Sequence, residues 1–207
     1  MNSKPAFLIA LTLIFVLNDF AFIPIKSYAG WLAVDYLSRI LALAVIFFLI
    51  RSKRCAPADF GFVKIGLRPL IAWAAVLSVT GILIDRFVWQ FLKGALPPTE
   101  VFSFPAADNN LMKLFDLTVG MVLVSVSEEA IFRGYYASVL GRYLKNPAVL
   151  VAVSCVIFGF IHWSGGLHAI MTAAIWAVLP MISVLKTGSI LPAVIAHWAT
   201  DFVYFLK

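Results

Sequence analysis

The residues of this chain that could perform chemistry fall into three short motifs, each within an apolar stretch of the sequence. Two adjacent carboxylates are followed by an arginine, a phenylalanine precedes a histidine by four residues, and a second histidine precedes an aspartate by four. The side chains concerned are Glu128, Glu129, Arg133, Phe158, His162, His197 and Asp201. A carboxylate in an apolar site can serve as a general base near neutral pH, because burial disfavours its charged form. These residue types therefore indicate acid–base chemistry.

The two adjacent carboxylates are expected to have different roles. Glu129 and Arg133 are four residues apart with the acid first, which is the favourable order for an ion pair on one helical face. Glu128 points about 100° away around the helix, and the spacing leaves it without a partner. The alternative is that both acids lie at a cytoplasmic helix end, where water solvates them.

The two histidines favour a shared site. A single histidine in an apolar helix is more often packed against its neighbours and bonded to a backbone carbonyl than catalytic. His162, His197 and Glu128 lie in three separate apolar segments, and such a combination is harder to explain by packing. His168, in the loop after the fifth apolar segment, is expected to lie at the membrane interface.

The composition identifies the elements that must position these side chains. Of the 207 residues, 63% are apolar and 13% are charged, against about 45–50% and 25% in soluble domains. The mean hydropathy is +1.00. This balance excludes a disordered chain, a coiled coil and a disulfide scaffold, and Cys55 and Cys155 are not expected to pair. The chain is predicted to be an integral membrane protein.

Apolar runs of about 20 residues, the length of a membrane-spanning helix, predict an all-α transmembrane bundle of about seven spans. They lie at roughly 6–25, 31–50, 69–90, 112–132, 147–163, 168–186 and 189–206. Without a linker or an internal repeat, residues 1–207 are expected to form one membrane domain. An alternative for the first run is a signal peptide with a cleavage site near Ala29.

The basic residues predict the orientation of the bundle, because Lys and Arg are enriched in cytoplasmic loops. The loop after the second run carries Arg51, Lys53, Arg54, Lys64 and Arg68. Alternation of the spans places further basic residues on the same side, namely Lys4, Arg133, Arg142, Lys145 and Lys186. The N-terminus is therefore expected in the cytoplasm and the C-terminus outside, in the cell inner (cytoplasmic) membrane. The net charge of +6 then reflects topology, and no nucleic-acid partner is expected.

Other charges within the apolar runs have simpler explanations. Asp35 and Arg39 are four residues apart and are expected to neutralise each other near the outer interface. Asp19, Asp85 and Arg86 lie near the ends of spans and are expected at the interface.

The three motifs, in this order, resemble the CAAX-protease and bacteriocin-processing family of intramembrane endopeptidases, which are similar to type II CAAX prenyl endopeptidases. That family has Glu-Glu-x-x-x-Arg, Phe-x-x-x-His and His-x-x-x-Asn/Asp on successive spans. The resemblance covers about residues 112–207, and the first three spans look like generic membrane helices. It implies hydrolysis of a peptide bond in a membrane-bound protein or peptide, lipidated substrates included, with membrane lipids as the other partner.

The resemblance also implies a role for each motif residue. Glu128 and His162 would position and deprotonate a water molecule, without a cofactor. His197 and Asp201 would face the oxyanion of the tetrahedral intermediate. The structural residues would be Glu129, Arg133 and Phe158.

Two features of the sequence qualify these roles. An ionised Asp201 would repel an oxyanion where asparagine would donate a hydrogen bond. Asp201 must therefore be protonated or must orient His197 instead, and we expect it to orient His197. At 1.5 Å per residue, Glu128 and His162 meet only if the fourth helix begins later than residue 112 and runs on, tilted, to about Gly141. A long fourth helix is therefore predicted.

Alternatives remain for the mechanism and for the function. Zinc could be held by a mixed set of nitrogen and oxygen ligands, Glu128, His162, His197 and Asp201, although no two histidines have His-x-x-x-His spacing. The chain could instead be a non-catalytic immunity or assembly factor, in which the polar side chains join helices. A third possibility is a proton-coupled carrier, although the paired halves common in transporters are not found.

Overall fold

The computed structural model describes residues 4–107 and 109–206, and this part of the chain contains seven helices and no strand. The helices are α1 Lys4–Phe22, α2 Tyr28–Arg51, α3 Leu67–Ala95, α4 at 110–140, α5 Pro147–Phe160, α6 Leu167–Thr187 and α7 Leu191–Phe205. Short 3-10 turns, Pro57–Phe60 and Trp163–Gly165, lie in two of the loops. The predicted all-α membrane bundle is confirmed.

Four of these helices, α1, α2, α3 and α6, are long and apolar enough to cross a membrane. Their outward faces carry large apolar side chains, such as Leu37, Phe47 and Phe91, that are more than half exposed. Lipid is a suitable solvent for such a surface, and helices satisfy their own backbone hydrogen bonds there. The helix α5 is shorter, with 14 residues, and α7 has 15.

The helix α4 carries the paired glutamates and is the long helix that the sequence predicts. It ends at Leu140, with Gly141 as its C-cap. The expected later start is wrong: α4 begins at Asn110, because the Asn109 side chain accepts hydrogen bonds from the first free N–H groups of the helix. Its hydrogen bonding changes to the wider π pattern at Asp116–Gly120 and Ala130–Tyr135. Such segments are frequent at functional sites, and the second one directly follows the glutamates.

The second π segment of α4 lies at the centre of the core. Ile131, Phe132 and Tyr135 are fully buried, among apolar side chains of α1, α2 and α5. Gly134 lies against the backbone of Phe60, where a Cβ atom would overlap the carbonyl group. Close packing against the loop after α2 therefore fixes the position of α4 along the bundle.

Asp59 joins three elements at the end of the bundle that carries most of the basic loops. Its carboxylate accepts hydrogen bonds from Lys4 Nζ at 2.6 Å, Ser138 Oγ at 2.6 Å and the Ala56 N–H at 2.8 Å. Partial burial raises the pKa of Asp59, but the bonds from Lys4 and Ser138 outweigh it and hold this pKa below its usual value. The ionised carboxylate therefore connects α1, the 52–66 loop and α4.

Candidate active site

The structure brings the four predicted catalytic residues to one cavity of about 260 Å³, which they line together with Phe158. They come from α4, α7 and the turn after α5: Glu128, His162, His197 and Asp201. Glu129 and Arg133 lie behind the cavity wall and are almost completely buried. Three motifs, with Glu128, His162 and His197 separated by 34 and 35 residues in the sequence, thus face one cavity.

Glu128 has a partner that its position in the helix did not indicate. Its Oε1 atom lies 3.0 Å from Nη2 of Arg39, on α2. Its Oε2 atom is buried, accepts no hydrogen bond within the described part of the chain, and lies 3.9 Å from Nε2 of His197. The expectation of an unpaired Glu128 is therefore wrong, since helical spacing gives only the neighbours on the same helix.

Arg39 lies in the candidate site, where the sequence did not place it. Its predicted ion pair with Asp35 is present at 3.0 Å, and Asn18 also donates to Asp35, at 3.2 Å. The pair does not lie at the outer interface: both side chains are buried and line the cavity. Intramembrane charges usually face the bundle interior. This rule could have been used to place Arg39 inside the bundle, on the side where Glu128 was expected.

His197 is oriented from both sides by carboxylates. Its Nδ1 atom lies 2.9 Å from Oε1 of Glu129, and its Nε2 atom lies 3.4 Å from Oδ2 of Asp201. Trp176 packs against the ring, with the ring centres 4.8 Å apart. The closest polar contact of His197 is thus with Glu129, whereas the sequence favoured Asp201 as the orienting group. Nε2 is the nitrogen atom that faces Glu128 and the cavity.

Arg133 connects the first two motifs. Its Nε atom lies 3.2 Å from Oε2 of Glu129, as their four-residue spacing suggests. Its guanidinium group lies over the ring of Phe158, 3.9 Å from the ring centre, and 5.4 Å from that of Trp176. Cation–π contacts are strongest where the cation has lost its water, and the side chain of Arg133 is only 1% exposed. Arg133 therefore holds the carboxylate of Glu129 in place, and Glu129 in turn holds His197.

His162 follows the end of α5 and has a defined tautomer when it is neutral. Its Nδ1 atom lies 3.0 Å from the carbonyl oxygen of Phe158. A carbonyl oxygen only accepts hydrogen bonds, so Nδ1 carries the proton. Nε2 of the neutral ring is then an acceptor, as a general base requires.

Three further acids line the cavity on the side of the 96–109 loop: Asp19, Asp85 and Asp116. Asp19 accepts a hydrogen bond from the Ser164 N–H at 3.3 Å, and Asp116 accepts bonds from the hydroxyl groups of Tyr36 at 2.6 Å and Tyr28 at 3.0 Å. The sequence placed Asp19 and Asp85 at the interface and did not single out Asp116. In the structure all three line the cavity inside the bundle.

His168, which the sequence places at the membrane interface, is buried within the bundle. It is the second residue of α6, is 3% exposed, and packs edge-on against Trp89 with ring centres 4.4 Å apart. Its Nδ1 atom lies 3.8 Å from Oε1 of Glu100. It does not line the cavity that Glu128, His162 and His197 share.

The zinc alternative requires several of the side chains that line the cavity to be grouped around one point. Within residues 4–107 and 109–206, no three His, Cys, Asp or Glu side chains are grouped so that they could hold a metal ion. This holds for the four residues of the zinc alternative. Glu128 and His197 are instead in contact with Arg39 and Glu129.

Comparison with known proteins supports the resemblance seen in the motifs. Residues 110–203 match the model of a family described as type II CAAX prenyl endopeptidase Rce1-like. This segment holds all three motifs and α4 to α7. No curated protein and no solved structure gives a significant match to the chain.

Proposed function

We propose an activity from one premise, which is that residues 110–203 belong to the type II CAAX prenyl endopeptidase Rce1-like family, a family of proteases. On this premise the chain is an intramembrane endopeptidase. It hydrolyses a peptide bond of a membrane-associated protein or peptide, lipidated substrates included. The observation that carries the proposal is the convergence of Glu128, His162 and His197 on one cavity.

The nucleophile in this proposal is a water molecule held by Glu128 and His162. Oε1 of Glu128 is engaged by Arg39, whereas the buried Oε2 accepts no hydrogen bond from the described residues. Oε2 of Glu128 and Nε2 of His162 are therefore two acceptors on side chains that line the same cavity. A water molecule that donates to both would be oriented for attack on a carbonyl carbon and would lose a proton to one of them.

Stabilisation of the oxyanion is assigned to His197, with Arg39 as the nearby positive charge. Amide hydrolysis needs donors directed at the oxygen on which charge develops. Glu129 accepts the Nδ1 proton of His197, so Nε2, which faces the cavity, donates to the oxyanion in the doubly protonated ring, the form that the neighbouring carboxylates stabilise. Asp201 has an acidic group where the family pattern also allows asparagine, so its carboxylate contributes as a neighbour of His197 and not as a donor.

A metal-free mechanism is preferred to zinc. Arg39 already supplies a positive charge 3.0 Å from Glu128, and Glu129 already holds the ring of His197, so neither side chain needs a metal ion to be stabilised. If zinc used Glu128 as a ligand, no dedicated acid would remain as the base. Both observations support activation of water by the glutamate and the histidine.

The test is a comparison of membrane-protein termini between cells with the wild-type chain and cells with Glu128→Gln. Processed termini are expected to disappear in the variant, because the amide cannot take a proton from water, while the abundance of the variant in the membrane stays normal. The matched control is Glu100→Gln, a glutamate that does not line the main cavity. Unchanged termini in Glu128→Gln would contradict the proposal and favour a non-catalytic role for the polar cluster.

A further inference from the structure

We infer that the cavity opens on the non-cytoplasmic side of the membrane, so that the substrate is a segment of an exported or membrane-anchored polypeptide exposed on that side. That this segment is a substrate rests on the proposed function, whereas the side on which the cavity opens does not. Two observations carry it, namely the distribution of basic residues and the residues that line the cavity.

The basic side chains are concentrated at one end of the bundle. That end includes the start of α1, the 52–66 loop, the 141–146 loop and the end of α6, with Lys4, Arg51, Lys53, Arg54, Lys64, Arg68, Arg142, Lys145 and Lys186. The opposite end carries, among the described residues, Lys26, Arg86, Lys93 and Lys113. Arg133, which the sequence counted with the first group, is buried in the core. Because Lys and Arg are retained in cytoplasmic loops, the first end is the cytoplasmic one.

The cavity reaches only the opposite end. Its lining includes Phe22 at the last turn of α1, Trp31 in the first turn of α2, Phe102 and Phe104 in the 96–109 loop, and Gly165 in the turn after α5. Among the described residues, none in the loops 52–66, 141–146 and 188–190 lines it. The fully buried segment of α4 after Glu129 closes it from the cytoplasmic end.

The 96–109 loop forms an apolar wall at this opening, next to the turn that carries His162. The N–H groups of Val101 and Phe102 both donate to the carbonyl oxygen of Ser164, at 2.9 and 3.1 Å. The ring of Phe102 contacts Phe22, and that of Phe104 contacts Trp31, with ring centres 4.6 and 5.2 Å apart. An extended polypeptide with apolar side chains suits an entrance of this chemistry. A cytoplasmic terminus would have to cross the bilayer to reach it.

The test is the accessibility of single cysteines to a membrane-impermeant maleimide in intact cells and in permeabilised cells. Ser103→Cys lies in the 96–109 loop and Lys145→Cys in a basic loop, and both positions are exposed. The background control is the wild-type chain, whose Cys55 and Cys155 are free and buried. Ser103→Cys is expected to label fully in intact cells, whereas Lys145→Cys should label only after permeabilisation. The reverse pattern would overturn the inference.

The substrate side is tested separately by mapping the termini that depend on Glu128. They are expected in segments beyond the non-cytoplasmic face, and termini in cytoplasmic segments would contradict the inference. If no terminus depends on Glu128, the proposed function fails. The labelling still decides on which side the cavity opens, since it can be repeated in the Glu128→Gln chain without any activity.

Discussion

Arg39 lies between two acidic side chains, Asp35 and Glu128, and its positive charge offsets the repulsion between them. It lies 3.0 Å from both Asp35 and Glu128, and its guanidinium group lies over Phe15, 4.5 Å from the ring centre. It comes from α2, outside the family segment 110–203. If the proposed function holds, the site is therefore completed by a helix that motif comparison alone would leave out.

We expect Arg39→Gln to lower kcat by about 10²–10³-fold, the usual effect of removing one donor that stabilises charge in the transition state. Arg39→Lys keeps the charge but loses the forked geometry, and an intermediate rate is expected. The matched control is Arg51→Gln, an exposed arginine on the same helix. Rates would be measured on the substrate found by terminus mapping, at equal amounts of folded protein. A wild-type kcat in Arg39→Gln would show that Arg39 does not contribute to catalysis.

Removal of metal ions with a chelator distinguishes the metal-free mechanism from a zinc mechanism at Glu128 and His162. Because the proposed nucleophile is activated by Glu128 and His162 alone, the purified protein is expected to keep its full kcat after dialysis against a strong chelator. The measurement is the cleavage rate before and after dialysis, followed by addition of Zn²⁺. A loss of activity that Zn²⁺ restores would assign these residues to a metal site instead.

At the scale of elements, α4 is held in place by its contact with the loop after α2. Gly134→Ala is expected to lower the free energy of unfolding by about 1–3 kcal/mol, because the added methyl group overlaps the backbone of Phe60. Gly94→Ala is the control, since a Cβ atom there meets nothing within 4 Å. Thermal unfolding in detergent would measure both variants. Equal melting temperatures for Gly134→Ala and the wild type would contradict this packing.

The Asp59 cluster predicts a pH dependence for the same elements. The folded-state pKa of Asp59 is lowered, so its stabilising contribution is complete above the unfolded-state pKa of about 3.9 and disappears as the pH falls through the lower folded-state value. Asp59→Asn is therefore expected to reduce the melting temperature at pH 7. The difference from wild type should shrink steadily below pH about 4. A difference that does not change with pH would assign the effect to packing and not to charge.

For the whole molecule, the sequence predicted contacts within helices better than contacts between them. Residue pairs four apart lie on one helical face whatever the fold, and Asp35–Arg39, Glu129–Arg133 and His197–Asp201 are close in the structure. The seven apolar runs could likewise be recognised in the sequence, because a helix surrounded by lipid needs apolar side chains whatever its neighbours are. The contacts of Arg39 with Glu128 and of Glu129 with His197 depend on how the helices pack against each other. The spacing of residues along the sequence gives no information about that packing. The unexpected features of the site therefore all lie between helices.

The short helices α5 and α7 have a consequence for the surrounding bilayer. At 1.5 Å per residue, the 14 residues of α5 rise about 21 Å, whereas the hydrocarbon layer is about 30 Å thick. Local thinning of the lipid is one way in which a bilayer accommodates a mismatch of this size. His162, at the end of α5, then lies below an indentation in the membrane surface. Water and a polar peptide bond would reach it across a thinner apolar layer than the intact bilayer presents.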